Sequence, residues 1–474
     1  MPGGQADLIE RFAAVVGADH VLTGDAIKDD YTRDEALTAT PRTPLAVVLP
    51  ATTEEVAGVL RVADEHRVPV TARGAGTGMS GACIPVPGGI VVSFERMNSI
   101  LEIDSENFVA VVEPGVRLDQ LDAELAPLGL VYPVYPGEYS ASLGGNVNTN
   151  AGGMRAVKYG VTRHHVLGLE AVLPSGEVIR SGGKIVKVST GYDLTQLIIG
   201  SEGTLALVTK AYLKLYPRAP HQSTVLAPFA TLDQVTRAVP EIVRSGVGPL
   251  ILEYIDMLTM AAATAHVGID LGIPEQIRES ALAYLVVALE STHEDRLEQD
   301  TQALGDQLTE LGALDVYVLP PGAAAGLVDA REKAFWVAKA SGADDIIDVV
   351  VPRAAVPAFM ERVSQIAAEH QAWIAGCGHA GDGNVHMAVF QKDPEVRSRI
   401  MRALFEAGME LGGAISGEHG LGTEKAGYFL ELEDPAKVAL MQRIKAAFDP
   451  NGILNPGTIL PGLAPAGPTT TEER

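Results

Sequence analysis

The chain has 474 residues, and 60 acidic against 36 basic side chains give it a formal net charge of −24. A surface this acidic repels phosphate groups, so nucleic acids and anionic membrane surfaces are excluded as first expectations for a partner. Hydrophobic residues make up 47% of the chain, which is enough for a full core and excludes global disorder.

The two cysteines, Cys83 and Cys377, lie far apart in the sequence. They cannot form a disulfide framework, and they are too few to hold an iron–sulfur cluster. No apolar run approaches the ~18 residues that a membrane-spanning helix needs. We therefore expect a cytoplasmic protein, which could be peripheral to a membrane through a partner. If it catalyses a redox reaction, we expect another molecule to accept the electrons.

The first half of the chain is predicted to alternate strands, helices and glycine-rich turns. After a lead-in of about 40 residues, Thr52 and Glu55 form a capping-box pattern and apolar residues follow at helical spacing, so a helix is predicted over 53–66. Strands are predicted at 45–49, 68–72, 90–94, 109–113 and 167–173. The proline-rich stretch 216–220 is the best domain boundary.

The second half is predicted to be a mixed α+β domain. Helices are predicted near 231–245, 275–283, 294–312, 395–411 and 435–448, and a strand at 284–289. The proline-rich stretch therefore divides the chain at about residue 220, and residues 461–474 are predicted to be a disordered tail.

Three glycine-rich segments stand out in the first half. Gly76-x-Gly78-x-x-Gly81 formally matches the dinucleotide fingerprint, but the prolines at 85 and 87 forbid the helix that a Rossmann site needs. A loop that wraps a phosphate with backbone N–H groups and a tight turn without a ligand both stay open. The segments 136–153 and 200–205 are also predicted to be loops, and their amide and hydroxyl groups suit contacts to a large polar cofactor.

The most specific chemistry lies in two short segments that hold three of the eleven histidines. His379 and His386 flank an Asp-Gly-Asn turn, which can bring both imidazoles to one ion. With Glu418 they form a two-histidine, one-carboxylate set suited to Zn²⁺, Mn²⁺ or Fe²⁺. The adjacent His419 is then free to act as a general base. Loop histidines without a metal are the alternative interpretation.

Arg331 offers a planar guanidinium that can bind both oxygens of an organic acid. An exposed arginine on a helix surface is the alternative interpretation of Arg331.

A metal-dependent hydrolase is an alternative function, because it could use His379, His386 and Glu418 to activate water. That function would leave the three glycine-rich segments unexplained.

Several motifs occur in order between about residue 40 and residue 460. They are Pro-Gly-Glu at 136–138, Gly-Gly-Asn-Val-Asn-Thr-Asn-Ala-Gly-Gly at 144–153, Lys-Tyr-Gly at 158–160, Gly-Ser-Glu-Gly-Thr at 200–204, the two histidine segments and Leu-Asn-Pro-Gly at 454–457. In these motifs the chain resembles the FAD-linked 2-hydroxy-acid dehydrogenases. That family includes D-lactate dehydrogenase, D-2-hydroxyglutarate dehydrogenase and the FAD-linked D subunit of glycolate oxidase.

The resemblance implies an α+β fold in which residues 1–220, with a core over 41–217, form a two-part FAD-binding domain of the vanillyl-alcohol-oxidase (PCMH) type. Residues 221–410 would form a substrate domain with an antiparallel sheet, and the helical segment 411–460 would return to the FAD-binding domain. The residues implied to bind FAD are Arg73, Gly74, Ala75, Gly76, Thr77, Gly78, Pro136, Gly137, Ser142, Gly145, Asn148, Gly153, Glu202, Gly203 and Asn455. Because residues 73–81 contain no histidine, we expect the FAD to be non-covalent.

The resemblance also implies roles for residues of the second half. His379, His386 and Glu418 match the metal ligands of the family, with zinc favoured over manganese or iron. His419 matches its catalytic base, and Arg331 matches the arginine that binds the substrate carboxylate. The implied activity is oxidation of a D-2-hydroxy acid to the 2-keto acid, with metal-assisted activation of the hydroxyl group and hydride transfer to flavin N5. A carbanion route stays open.

Three positions depart from the 2-hydroxyglutarate branch of the family. That branch usually has threonine, asparagine and lysine where this chain has Phe335, Ala388 and the apolar pair Ile346-Ile347. A second carboxylate would lack partners there and would be costly to desolvate. We therefore expect glycolate, D-lactate or a longer apolar 2-hydroxy acid as the substrate.

The resemblance implies a separate electron acceptor, which could be an iron–sulfur subunit, an electron-transfer flavoprotein or a quinone. It leaves a homodimer open. A non-catalytic flavin-binding subunit of a glycolate-oxidase-like complex is a further alternative. Such a subunit lacks the metal set, which this chain has.

Overall fold

The computed structural model describes residues 2–461, so the predicted tail over 461–474 lies, except for its first residue, outside the described residues. The α-helices are α1 (Pro2–Val16), α2 (Thr53–Glu65), α3 (Leu118–Leu125), α4 (Leu143–Thr149), α5 (Ala156–Tyr159), α6 (Leu194–Ile198), α7 (Leu232–Arg244), α8 (Met257–Val267), α9 (Glu275–Ser280), α10 (Glu294–Glu310), α11 (Pro321–Glu332), α12 (Ala334–Ala340), α13 (Val356–Glu369), α14 (Pro394–Glu410), α15 (Ala426–Leu432) and α16 (Pro435–Phe448). Short 3₁₀ helices span Ala18–His20, Gly24–Ala26, Asp29–Thr32, Ala126–Leu128, Thr162–His164 and Arg353–Ala355.

The strands are β1 (Val21–Leu22), β2 (Ala46–Val48), β3 (Val70–Arg73), β4 (Ile90–Ser93), β5 (Ile100–Asp104), β6 (Val109–Val112), β7 (Leu130–Val131), β8 (Val166–Val172), β9 (Val178–Gly182), β10 (Leu207–Lys214), β11 (Tyr216–Pro217), β12 (His221–Phe229), β13 (Ile251–Asp256), β14 (Ala283–Ser291), β15 (Tyr317–Leu319), β16 (Asp345–Val350), β17 (Trp373–His379) and β18 (Asn384–Phe390). Helices and mainly antiparallel sheets therefore confirm the predicted α+β class.

Two sheets and a short strand pair belong to the first half. A four-stranded sheet has the order β1-β2-β4-β3, with β2 and β3 both parallel to β4. A five-stranded antiparallel sheet has the order β5-β6-β10-β8-β9, and β7 pairs with β11. The strands predicted in this half all exist, with ends within two residues of those expected.

Helix α2 forms where the capping pattern predicts it. The Thr52 hydroxyl accepts a hydrogen bond from the Glu55 N–H at 3.1 Å, and the Glu55 carboxylate accepts one from the Ala51 N–H at 2.7 Å. Val56 and Leu60, four residues apart, are fully buried in the core that includes the first sheet. Local capping and apolar spacing therefore agree, and the prediction over 53–66 is confirmed.

The second half contains a seven-stranded antiparallel sheet with the order β15-β12-β14-β13-β17-β18-β16. The hairpin β17–β18 lies between β13 on one side and β16 on the other. Backbone hydrogen bonds from Val70 to Ile453 (2.7 Å) and from Asn455 to Val70 (2.8 Å) bring the end of the described chain against β3. The C-terminal segment therefore packs against the first sheet.

Two local predictions are wrong. Helix α9 ends at Ser280 rather than at 283, because the chain enters β14 at Ala283. The glycine-rich segment 136–153, predicted to be a loop, contains helix α4. Leu143 and Val147 lie one helical turn apart and are fully buried, so their burial outweighs the low helix propensity of the glycines between them.

Among the helices of residues 2–461, none combines the length and the apolar character that crossing a membrane requires.

Candidate functional site

Two adjoining cavities lie where the loops of the first half meet the large sheet. The glycine-loop cavity, of about 170 Å³, is lined mainly by residues 72–79, by parts of 136–151 and by the loop 202–203. The histidine cavity, of about 130 Å³, is lined by His379, His386 and Arg331 among others. The residues that line both cavities are Thr77, Met79, Pro136, Glu138, Glu418 and His419. Groups bound in the two cavities would therefore be neighbours.

Most of the residues predicted to bind a cofactor line the glycine-loop cavity. These are Arg73, Gly74, Ala75, Gly76, Thr77, Gly78, Pro136, Ser142, Gly145, Asn148, Glu202, Gly203 and Asn455. Gly137 lines the histidine cavity instead, and Gly153 lines neither. At Gly153 the φ angle is +117°, and a side chain would collide with the Tyr135 carbonyl, so packing alone requires glycine there.

The glycine-loop cavity presents polar groups that have no partner in the described part of the chain. The amide Nδ2 of Asn146 and the Oδ1 of Asn148 are buried without a hydrogen bond. The loop after β3 lies close to α4, since the Ala75 N–H donates to Ser142 Oγ at 3.2 Å. The described residues 79–89 contain no helix, so the exclusion of a Rossmann site is confirmed.

Three of the predicted cofactor side chains are used to hold loops together. Arg73 donates to a backbone carbonyl of the lead-in segment at 2.7 Å. Glu202 accepts from the N–H groups of residues 421–422, both at 2.8 Å. Asn455 accepts from the Ala72 N–H at 2.9 Å and donates to the Glu202 carbonyl at 2.7 Å. These side chains shape the cavity and fix the C-terminal segment against it.

The hairpin β17–β18 and the loop after α14 bring the three predicted metal ligands together. His379 ends β17, His386 is the third residue of β18, and the Nε2 atoms of both lie 3.1 and 3.2 Å from Glu418 Oε1. The Asp382 carboxylate accepts from the Asn384 N–H at 3.1 Å and so stabilises the turn between the two strands. The contact of His386 Nε2 with Glu418 lacks hydrogen-bond geometry, and His386 Nδ1, 3.5 Å from Asp348 Oδ1, has no hydrogen bond within the described residues.

Glu253 in β13 contacts both His379 and Arg331, and sequence reasoning missed it. Its Oε1 lies 2.6 Å from His379 Nδ1, and its Oε2 accepts from Arg331 Nε at 2.7 Å. The side chain is 1% exposed. Glu253 therefore orients His379 with Nε2 towards Glu418, while Arg331 Nη2 stays buried without a partner among the described residues. A lone glutamate in the otherwise apolar run 250–255 was the available signal.

Asp348 in β16 holds the loop that carries Glu418 and His419, and it too was missed. Its Oδ2 accepts from the N–H groups of residues 417, 418 and 419 at 3.1, 3.1 and 2.8 Å, and from Ser416 Oγ at 2.7 Å. Asn384 donates to its Oδ1 at 2.9 Å. One fully buried carboxylate thus fixes the loop to the hairpin.

The carboxylates stabilise positive charge in the middle of the cluster. Burial lowers the pKa of His379, but Glu253 and Glu418 outweigh it, so the pKa lies well above its ordinary value. Burial raises the pKa of Glu418, and His379 and His386 outweigh it, so that pKa lies well below its ordinary value. A cation between these groups is therefore electrostatically favoured.

The pKa of His419 shifts in the opposite direction from that of His379. The His419 ring stacks on that of His386, with centroids 5.0 Å apart. Burial lowers the pKa of His419 below its ordinary value, against the opposing effect of Asp348. The neutral imidazole is therefore the stable form near neutral pH, and it can accept a proton.

Replacing Asp348 by asparagine is expected to lower the free energy of unfolding by about 2–4 kcal/mol, because an amide turns one acceptor oxygen into a donor and removes the charge that several N–H groups share. Urea unfolding measures the change. Asp345→Asn is the matched control: Asp345 lies in the same strand, and its carboxylate accepts from the Ile346 N–H. Equal stability of the two variants would contradict the role given to Asp348.

Two family models match the chain: an FAD binding domain over residues 44–182, and the C-terminal domain of FAD linked oxidases over residues 218–459. An uncharacterized FAD-linked oxidoreductase of Mycobacterium tuberculosis is 61% identical, covering 96% of this chain and 99% of that protein. The glycolate oxidase subunit GlcD of Bacillus subtilis is 38% identical, with 95% and 96% covered. A D-lactate dehydrogenase of Anaerostipes hadrus is 36% identical, with 96% and 97% covered.

Among solved structures, p-cresol methylhydroxylase with bound substrate has a TM-score of 0.75 at 20% identity, covering 97% of this chain and 98% of that one. This similarity confirms the predicted PCMH-type fold. With both family models matched and relatives aligned over nearly their whole length, the chain belongs to the FAD-linked oxidoreductase family that includes D-lactate dehydrogenase and glycolate oxidase, and it is an FAD-dependent enzyme.

Proposed function

We propose that the chain oxidises a D-2-hydroxy acid to the corresponding 2-keto acid, with FAD held non-covalently. The observation that carries the proposal is the convergence of Arg331, the His379, His386 and Glu418 set and His419 on one cavity that adjoins the glycine-loop cavity. Relatives named D-lactate dehydrogenase and glycolate oxidase support the same class of substrate.

The glycine-loop cavity fits FAD. Asn146 Nδ2 and Asn148 Oδ1, which have no partner among the described residues, offer a donor and an acceptor to a large polar ligand, and the loop 74–78 lines one side of the cavity. When bound, FAD supplies an acceptor for the hydride equivalent that the substrate loses. Residues 73–81 contain no histidine for covalent attachment, which supports non-covalent binding.

The histidine cluster fits a divalent ion, with zinc favoured over manganese or iron. Two imidazole Nε2 atoms and a carboxylate oxygen face one another, and the donor atoms of the set lie within 4.8 Å. Because Glu253 holds the Nδ1 side of His379, Nε2 is the nitrogen that would lose its proton and face the ion. When bound, the ion polarises the substrate hydroxyl group and lowers its pKa.

The residues of the chain itself would then bind the acid and remove one proton. Arg331, whose Nε is held by Glu253, presents its free Nη2 to the substrate carboxylate. His419 accepts the hydroxyl proton while the α-hydrogen leaves with its electron pair, so the carbinol carbon becomes a carbonyl carbon. The substrate thereby loses one proton and one hydride.

The electrons would leave the chain through a separate acceptor. The whole sequence has two cysteines, too few for a cluster of its own. An iron–sulfur subunit, an electron-transfer flavoprotein or a quinone would then reoxidise the enzyme.

Anaerobic mixing of the purified protein with glycolate, D-lactate and D-2-hydroxyisocaproate tests the proposal. We expect a yellow protein whose flavin absorption is bleached by at least one of these acids, and far more slowly by L-lactate at the same concentration. A colourless protein that cannot be loaded with FAD would contradict the cofactor assignment. A yellow protein that no hydroxy acid reduces would instead support a non-catalytic flavin-binding subunit.

A further inference from the structure

The part of the histidine cavity formed by helix α12 and strands β16, β17 and β18 is almost entirely apolar. Apart from His379 and His386, its lining there is apolar, chiefly Phe335, Trp336, Ile346, Ala375 and Ala388. We propose, on the basis of the hydroxy-acid dehydrogenase function above, that the preferred substrate is a 2-hydroxy acid with a bulky apolar side chain, either branched alkyl or aryl, which packs against this apolar wall.

Helix α12 is the first argument for an apolar occupant. It carries Phe335, Trp336 and Val337, yet none of its residues is buried, and Trp336 is 39% exposed. The rings of Phe335 and Trp336 contact each other edge to face, with centroids 5.1 Å apart. Two aromatic rings at the mouth of a cavity leave apolar area in water that an apolar ligand would cover.

The size of small substrates is the second argument. Glycolate has no side chain, and D-lactate has a single methyl group, so neither would cover the wall. Ala388 lies two residues after His386 on the same strand and therefore points to the same face of the sheet. Its small side chain leaves space beside the histidine cluster at the place where the β-carbon substituents of a bound acid would extend.

The charges of the histidine cavity argue against a second carboxylate on the substrate. Arg331 is the sole lysine or arginine among the described residues that line it, whereas Glu138, Glu332 and Glu418 all line it. Arg331 is assigned to the first carboxylate, so a second one would meet carboxylates without a cation.

Lys339 Nζ lies 5.3 Å from the ring centroid of Trp336, but it is already paired with Glu35 at 2.6 Å. Two further cations lie behind the apolar wall. Arg397 and Lys425 line a separate polar cavity, which shares Met79, Phe335 and Ile346 with the histidine cavity. These three apolar side chains separate the two spaces. A dicarboxylate could reach the cations only by displacing them.

The test is a comparison of kcat/KM for glycolate, D-lactate, D-2-hydroxyisocaproate, D-phenyllactate and D-2-hydroxyglutarate with the FAD-loaded enzyme. Each buried methylene group is worth roughly a fourfold gain, so D-2-hydroxyisocaproate, with three more carbons, should exceed D-lactate roughly sixtyfold. A higher value for D-lactate, glycolate or D-2-hydroxyglutarate would overturn this inference and leave the proposed function standing. A flavin that none of the five acids reduces would overturn the proposed function, and the inference with it.

Two variants locate the preference in the wall. Ala388→Leu fills the space beside the cluster, and Phe335→Ala removes one ring from a helix without buried residues. Each should lower the ratio of kcat/KM for D-phenyllactate over D-lactate at least tenfold, while the bound flavin reports a folded protein. Ala368→Leu, an exposed site on α13 outside the cavity, is the matched control and should leave the ratio unchanged. An unchanged ratio in both wall variants would overturn the inference.

Discussion

Replacing His419 by glutamine is expected to lower the rate constant for anaerobic flavin reduction by about 10³-fold or more, while the protein stays yellow. Glutamine keeps polarity and much of the volume of histidine but cannot accept a proton near neutral pH. His419 lines both cavities, so it is the histidine that a proton from the substrate hydroxyl can reach beside the flavin site.

The loss would be chemical rather than structural. The His419 main chain is held by contacts that its side chain does not make: its N–H donates to Asp348 at 2.8 Å, and its carbonyl accepts from Ser80 Oγ at 3.1 Å. The loop and Glu418 should therefore keep their positions in the variant.

Stopped-flow absorbance measures flavin reduction in a single turnover, which separates chemistry from reoxidation by any acceptor. His66→Gln, an exposed histidine at the end of α2, is the matched control and should behave as the wild type. A His419→Gln variant that reduces its flavin within tenfold of the wild-type rate would rule out the role of His419 as the base.

The fold could be predicted where local signals were strong. Helix α2 has a cap and an apolar face within one short segment, so its prediction needed no knowledge of the tertiary structure. The candidate metal ligands could be named from the sequence for a similar reason, because His379 and His386 flank a turn and Glu418 lies in a second glycine-rich segment. Whether these ligands hold a metal stays a prediction.

Glu253 and Asp348 could not be predicted, because their roles depend on strand order. The hairpin β17–β18 is flanked by β13 and by β16, which bring Glu253 and Asp348 to its two sides. Glu253 lies 126 residues from His379, and Asp348 lies 70 residues before Glu418. No local spacing encodes such neighbours; only a lone carboxylate in an apolar run marked each position.

Helix α4 is a case in which the amino-acid composition gave a wrong prediction of secondary structure. Glycines and asparagines predicted a loop, but the Ser142 hydroxyl accepts from the Gly145 N–H at 3.3 Å and starts a helix. Burial of two apolar side chains then sustains it. Asn146 and Asn148 of this helix line the glycine-loop cavity, and each keeps one polar atom without a partner among the described residues. The segment is therefore a helix rather than a loop, but it still places polar groups in the cavity as predicted.

Loss of the metal is the second large effect that we expect. The two nitrogens of His386 face carboxylates, Nε2 at 3.2 Å from Glu418 Oε1 and Nδ1 at 3.5 Å from Asp348 Oδ1, and neither makes a hydrogen bond within the described residues. Two imidazoles and a carboxylate that face one another in this way are a donor set for a divalent ion. We therefore expect about one equivalent of a divalent metal in the purified protein. Chelation should lower the rate constant for flavin reduction about a hundredfold or more.

His386→Ala should prevent metal binding and show the same loss of rate, and added zinc, manganese or iron should restore the chelated wild type but not the variant. The flavin content should stay equal, because His386 does not line the glycine-loop cavity. Elemental analysis measures the metal content and single-turnover reduction measures the rate, with the exposed His293→Ala as control.

Because the carboxylates around His379 favour a cation, Glu253→Gln should weaken metal binding ten- to a hundredfold without abolishing it. Full activity in a demonstrably metal-free wild type would refute the metal assignment and would leave His419 and Arg331 as the groups that activate the substrate.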